Sequence, residues 1–323
     1  MPLFACDNDP RPPDEIVSRH RWDPRPRERP VDDIDIDEAR PNELALPGGL
    51  EMRAPIVDGR LTVIPIVAAP NSPPPAARTF ITLAEGMASG AVTVREVAHE
   101  LEVDQLVLRN GAKEPLLVLR GQLVIEGEQD RVMSADRIIE PGETTIVGVR
   151  CVEKERSEGG LYFRTGKAMA ELSLRRAVAH EDQDHVWAQV DVIAVRDKLY
   201  SETRSYRPAA QAQTRGDNAA RRERIVAALG KMEERQRVLG FAVAVDDELV
   251  AFERFASPEL HRKLEAELLA SYLPATAGTP VAAKKPLAPS DVRAFLASVK
   301  PSTTAASTVH LKVRPAREQV LFD

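Results

Sequence analysis

A chain of 323 residues, 43% of them hydrophobic, is long enough for one large domain with appendages or for two domains, and holds enough apolar material for a core. Aromatic residues are only 4%, so that core must be built mainly of Val, Leu, Ile and Ala. With 44 basic against 50 acidic residues and a net charge of -6, the chain lacks both the cationic excess and the stacking rings that nucleic-acid binding requires.

Residues 1–48 are proline-rich and charge-segregated, with basic His20–Arg29 followed by acidic Asp32–Glu38. Such a segment buries little apolar area, so a disordered or loosely docked arm is expected. The other reading is a clasp on a neighbouring subunit through Trp22, Ile34 and Ile36, which allows a homo-oligomer. The first ten residues have neither a basic stretch nor an apolar one, and no run of about twenty apolar residues occurs, so the expectation is a cytoplasmic protein without a membrane partner. Two cysteines, Cys6 and Cys151, make no disulfide framework and no zinc spacing.

Order is expected from about residue 60, with an α+β domain over 49–275 and its β-rich core over 60–155. Leu61–Val67 is apolar and β-branched, hence a strand, and Pro65 suggests an edge position or a bulge. Thr82-Leu-Ala-Glu85 is a capping box and Gly90 a stop, which predicts a two-turn helix over Leu83–Ser89, followed by a strand over Val92–Val97. Val103–Arg109 and Pro115–Glu126 flank Asn110-Gly111, the strongest short hairpin signal. Ile138-Ile139 and Thr144–Val152 flank a turn at Glu140–Glu143. Short strands punctuated this densely suggest a sandwich-like or barrel-like sheet.

Residues 154–170 are polar and glycine-containing, and read as a loop over that sheet. Helical stretches are expected around Met169–Arg175, from Val186 to Val195, and over Arg221–Leu239, where Ile225, Leu229 and Met232 share a face. Phe241–Val245 and Leu249–Phe255 read as a hairpin about Asp246-Asp247. Ser257 caps a helix with Pro258 in its first turn and a buried stripe of Leu260, Leu264, Leu268 and Tyr272. Residues 276–323 read as a linker, a short helix capped by Ser290, and a strand over Thr308–Val313. The fold class is therefore α+β, with the sheet towards the N-terminus and helices mainly in the C-terminal half.

The ordered series Leu61-Thr-Val-Ile-Pro, Thr82-Leu-Ala-Glu, Arg109-Asn-Gly, Gly121 through Gln129-Asp-Arg131, and Cys151-Val-Glu153 resembles the ARG-and-rhodanese-phosphatase-superfamily-associated protein domain family. Gln183 with Val186-Trp187, Gly240 with Asp246, and Ser271-Tyr272 continue the likeness over roughly 60–275. The family is named for its association with ADP-ribosylglycohydrolases and phosphatases, which implies work on ADP-ribose or another NAD-derived nucleotide. Where the family pattern leads one to expect a glutamate this chain has Gln122. Glu128 stands near an expected basic residue, and Lys154–Ser157 replaces an expected Gly-Arg-Trp.

Polar residues at the strand ends supply the candidate site: Gln129, Asp130, Arg131 and Glu153. Arg131 could clamp a phosphate or carboxylate in bidentate fashion, with Gln129 reading a sugar or base edge and residues 154–165 covering the pocket. The structural alternative pairs Arg131 with Glu126, Glu128 or Glu153. A small-ligand binding module for an ADP-ribose-like nucleotide derivative is the first functional reading. A hydrolase or transferase using Glu126, Asp130 or Glu153 as general acid or base is the second, and an assembly protein using the arm the third. Cys151 in its strand reads as a small buried hydrophobe. His180 and His185, with carboxylates between them, read as a solvated loop or helix start rather than a metal site. No P-loop, dinucleotide fingerprint or nucleophile elbow is present, and no cofactor is expected.

Overall fold

The computed structural model describes residues 45–72, 78–97, 104–156, 158–180, 182–277 and 287–312. The first 44 residues of the expected arm and the lysines of the expected linker lie outside the described residues. In chain order the first strands are β1 (Ala45–Leu46), β2 (Leu50–Met52), β3 (Ile56–Asp58), β4 (Leu61–Ala68) and β5 (Ile81–Thr82), followed by helix α1 (Leu83–Ala88). Then come β6 (Val92–Glu96), β7 (Gln105–Asn110), β8 (Leu116–Val118), β9 (Gln122–Ile125), β10 (Arg131–Met133), β11 (Arg137–Ile139), β12 (Thr144–Cys151) and β13 (Arg164–Met169). Four helices follow: α2 (Leu172–His180), α3 (Gln183–Asp197), α4 (Arg207–Ala212) and α5 (Gly216–Gly230). The chain continues with β14 (Val238–Val245), β15 (Glu248–Phe255), α6 (Pro258–Tyr272), α7 (Pro289–Ser298), β16 (Ser302–Thr303) and β17 (Ser307–Leu311). The class is α+β, with a β-rich N-terminal half and helices mainly in the C-terminal half.

Among the described residues the strands form three sheets. The first has the order β1-β2-β4-β14-β15-β17-β16, with β3 also paired to β4; the second is β13-β9-β10-β12-β7-β6; the third is β11-β8-β5. Residues just before β13 bond to the far edge of the second sheet, Phe163 N to Val94 O at 2.9 Å and Glu96 N to Leu161 O at 3.0 Å. Because β13 itself pairs with β9, these bonds curl the sheet towards closure and cover its edge. The loop expected over 154–170 is thus partly strand. Its small residues permit this: a Cβ at Gly166 would lie 2.7 Å from Leu123 Cγ, so only glycine fits against the neighbouring strand.

Local signals hold where the chain answers to itself. Thr82 caps α1, its hydroxyl accepting from Glu85 N while the Glu85 carboxylate accepts from Thr82 N. Asp246 and Asp247 both take positive φ, 51° and 66°, in the tight turn between β14 and β15. Ser257 caps α6, whose Leu260, Leu264, Leu268 and Tyr272 are all buried. For α7 the cap differs from expectation: the helix begins at Pro289, and Asp291 rather than Ser290 closes it by accepting from Ala288 N.

Pairing partners depart further from expectation. Asn110-Gly111 does not turn a hairpin, since β7 pairs with β6 and β12 while β8 pairs with β11 and β5. Neither residue has positive φ, which a two-residue hairpin of this type demands. Instead the buried Asn110 amide donates to Glu114 O and Ile139 O and accepts from Ala112 N, so it braces a wider loop. Pro65 likewise is not on an edge: β4 lies between β14 and the β2–β3 pair. Its carbonyl accepts from Arg53 N, so its missing N–H faces the break where β2 gives way to β3.

Among the described residues, four clusters of buried apolar side chains hold these layers together. One face of the first sheet packs Phe241, Val243 and Phe255 against α6, and the other packs Ile64, Ala242 and Phe252 against Val292 and Phe295 of α7. The second sheet turns Val124, Met133 and Val149 towards the third sheet and α1, and Leu123, Val132 and Val152 towards α2, α3 and α4. Each such side chain contributes about 1.5–3 kcal/mol on burial. Between the layers sits a buried polar joint: Arg175 of α2 donates to the Glu253 carboxylate of β15 at 2.8 Å and to the Tyr272 hydroxyl of α6 at 3.0 Å, and Tyr272 in turn donates to Glu253.

Candidate functional site

A cleft of about 430 Å³ opens where the end of β12 meets the segment between α3 and α4; it is lined by Glu126, Glu153, Arg156, Thr203, Ser205 and Arg207, among others. The backbone sets this junction. Val152 O accepts from Tyr206 N, Thr203 O accepts from Lys154 N and Glu155 N, and Glu153 bridges to Ser205. Gln183 of α3 extends the strand end sideways: its amide accepts from Cys151 N and donates to Cys151 O, each bond a backbone-like pair. The end of β12 therefore has hydrogen-bond partners beyond its own sheet.

Asp130, immediately before β10, lies beneath the cleft and is completely buried. Its carboxylate accepts from Glu126 N, Ser205 Oγ, Arg156 Nη2, and both Nε and Nη2 of Arg207 at 2.9 and 2.6 Å. Glu153 stands beside it, accepting from Asp130 N at 3.0 Å, from Thr203 Oγ1 at 2.6 Å and from Arg156 Nε at 2.9 Å. Burial alone would raise the Glu153 carboxyl, but donation from Arg156, Thr203 and the Asp130 amide outweighs it and holds the pKa below the ordinary value.

A carboxyl whose pKa falls on folding contributes stability above its unfolded pKa and loses it as pH drops through the folded value. Urea unfolding of the wild type and Glu153→Gln is therefore expected to show the largest gap near neutral pH and a narrowing gap in acid. A gap independent of pH would remove Glu153 as the titrating group.

The two arginines are not equivalent. All three nitrogens of Arg156 donate to acceptors: Nε to Glu153, Nη1 to Gly127 O and Glu158 O, and Nη2 to Asp130, with Nη2 also 2.7 Å from the Glu153 carboxylate as an ion pair. Arg207 uses only its Nε and one Nη2 hydrogen on Asp130, and its Nη1 edge has no hydrogen-bond partner among the described residues. Its side chain is 34% exposed on the cleft wall. Asp130 thus orients Arg207 by one edge of the guanidinium, and the other edge stays on the cleft wall without a partner among the described residues.

The four residues singled out from sequence separate. Glu153 lines the cleft and Asp130 lies directly beneath it. Arg131 is opposite Cys151 and Val124 in the ladder, on the face turned towards the core between the second and third sheets. It is 1% exposed and donates through Nη1 to Gln129 Oε1 at 2.9 Å, while its Nε has no hydrogen-bond partner among the described residues. Among the described residues it forms no ion pair with Glu126, Glu128 or Glu153. Adjacent strand residues point to opposite faces, so Asp130 and Arg131 cannot both enter one pocket from an extended strand. That parity was legible in the sequence. Arg207 was not, because nothing local marks it and 77 positions separate it from Asp130.

Cys151 is buried, and burial raises its thiol above the ordinary value, which suits a core residue better than a nucleophile. Asp182 caps α3 through His185 N and also contacts the His185 ring, so this segment begins a helix. Among the described residues no helix is long and apolar enough to cross a membrane.

Residues 49–320 match the family model described as the ARG and Rhodanese-Phosphatase-superfamily-associated Protein domain. No curated protein and no solved structure gave a match.

Proposed function

This chain belongs to the ARG and Rhodanese-Phosphatase-superfamily-associated Protein domain family, and from that premise and the cleft geometry we propose that it binds a small phosphorylated ligand of the ADP-ribose class. The observation that carries the reading is the half-used guanidinium of Arg207, held by Asp130 with its outer edge on the cleft wall. A phosphate oxygen pair on that edge would gain charge-assisted hydrogen bonds of about 1.5–3 kcal/mol each. Arg131 then acts by fixing Gln129 rather than by touching the anion.

Charge bounds the ligand further. Three carboxylates, Asp130, Glu153 and Glu126, face Arg156 and Arg207, and Glu126 also pairs with the exposed Arg164, so the site has no surplus of positive charge for a bare polyanion. A phosphate joined to a ribose suits it better than free phosphate, because the half-exposed Glu126 can also accept from sugar hydroxyls while Arg207 holds the anion. General acid catalysis by Glu153 has less support, since its hydrogen bonds keep it ionised near neutral pH.

Thermal unfolding with ADP-ribose, NAD and inorganic phosphate tests this. A ligand at one hundred times its dissociation constant should add about 2.7 kcal/mol, with ADP-ribose effective and phosphate alone weak. Arg207→Ala should weaken ADP-ribose binding by at least tenfold. No stabilisation by either nucleotide at millimolar concentration would sink the proposal.

A further inference from the structure

Helix α4 gives Arg207 and Pro208 to the cleft just described, while Ala209 and Ala212 help to line a second hollow of about 450 Å³. Leu199, Leu273 and Pro274 form an apolar wall there, and Asp197, Gln213 and Asp217 bring oxygen acceptors to it. Gln213 is 1% exposed. Its Nε2 donates to the Tyr206 hydroxyl, and its Oε1 has no hydrogen-bond partner among the described residues. A buried carbonyl oxygen left without a donor, in a residue lining a hollow, is an unmet demand that an entering N–H would satisfy.

The charges in this hollow differ in how far they are committed. Asp197 is engaged by Arg196 through both carboxylate oxygens. Arg221 spends three of its five N–H groups on the Asp58 carboxylate and carbonyl and on Thr276, and Asn218 donates its amide to Ala212 O. The Asp217 side chain forms no hydrogen bond or ion pair among the described residues, and it lines the hollow. The Asp217 carboxylate and the Gln213 oxygen are thus acceptors without a partner among the described residues, beside an apolar wall.

We propose that this second hollow binds a primary ammonium group carried on an apolar stem. Asp217 and the Gln213 oxygen accept from the ammonium, and Leu199, Leu273 and Pro274 cover the stem. This site is independent of ligand binding at Arg207.

Two-dimensional NMR of the full chain, titrated with 1,4-diaminobutane, tests it against 1,4-butanediol of the same stem and succinate of opposite charge. The expected result is saturable movement of the Gln213 side-chain amide and the Asp217 backbone resonance with the diamine alone. Asp217→Asn, a change at an exposed position, should weaken that binding at least tenfold while leaving the rest of the spectrum in place. Equal response to the diol, no saturable response, or an unchanged affinity in Asp217→Asn would overturn the proposal. Binding of succinate instead would overturn it too, since that follows if the Gln213 amide is turned with its NH2 into the hollow.

Discussion

Replacing Arg175 with methionine is expected to lower the unfolding free energy by about 3–5 kcal/mol, towards the upper end of that range. Arg175 and Glu253 are both essentially removed from water, with side chains 2% and 0% exposed. Among the described residues, loss of the guanidinium leaves the Glu253 carboxylate buried with only the Tyr272 hydroxyl as donor, and its Oε2 already has no partner. Solvent cannot reach in to compensate. The triple change Arg175→Met, Glu253→Leu and Tyr272→Phe should recover most of the loss, because apolar groups of similar volume need no partners there. Urea unfolding of the single and triple variants measures both values. A triple variant as unstable as the single one would show that shape, not charge, makes this joint.

Asp130→Asn should cost about 3 kcal/mol, the lower end of the same range, because its partners differ in exposure. The carboxylate is wholly buried, whereas Arg156 and Arg207 are 22% and 34% exposed and can recover part of their solvation. The amide is isosteric, but it removes the charge and turns an NH2 group towards cations. Because Asp130 receives Ser205, Arg207 and Arg156 together, hydrogen exchange over 201–208 should quicken more than in β4 or β14. A loss below about 1 kcal/mol, within the range of exposed ion pairs, would show that the arginines do not depend on Asp130 for their placement.

Asp130→Asn and Arg207→Ala separate construction of the cleft from its use. The first should reduce both stability and ADP-ribose affinity, since it releases Arg207 as well as unpairing it. The second leaves the Asp130 carboxylate with Arg156, Ser205 Oγ and Glu126 N as donors, so it should cost less stability than the first and act more on affinity. An Arg207→Ala variant as unstable as Asp130→Asn would recast Arg207 as a structural residue.

How legible the candidate site was depended on sequence distance. Glu153 and Asp130 could be found because polar residues closing apolar strands must acquire partners, and here both carboxylates accept from Arg156 while Glu153 also accepts from the Asp130 backbone. Arg207 enters from a helix start 77 positions beyond Asp130, and no periodicity or capping rule reaches that far. Arg131 was attractive as a cation beside those carboxylates in sequence. Strand alternation sends it to the opposite face.

The same division runs through the fold. Elements whose rules close within a few residues can be read from the chain directly: the Thr82–Glu85 cap, the turn at Asp246-Asp247, and the buried stripe from Leu260 to Tyr272. The α+β class can be read in the same way, because alternating and helical periodicities are local. Tertiary structure alone decided which strand pairs with which, why Pro65 is tolerated in an interior strand, and which arginine faces the cleft. An N–H or guanidinium satisfies its hydrogen bonds with whatever packing brings within 3 Å or so, and for β4, β7 and Asp130 those partners come from distant parts of the chain.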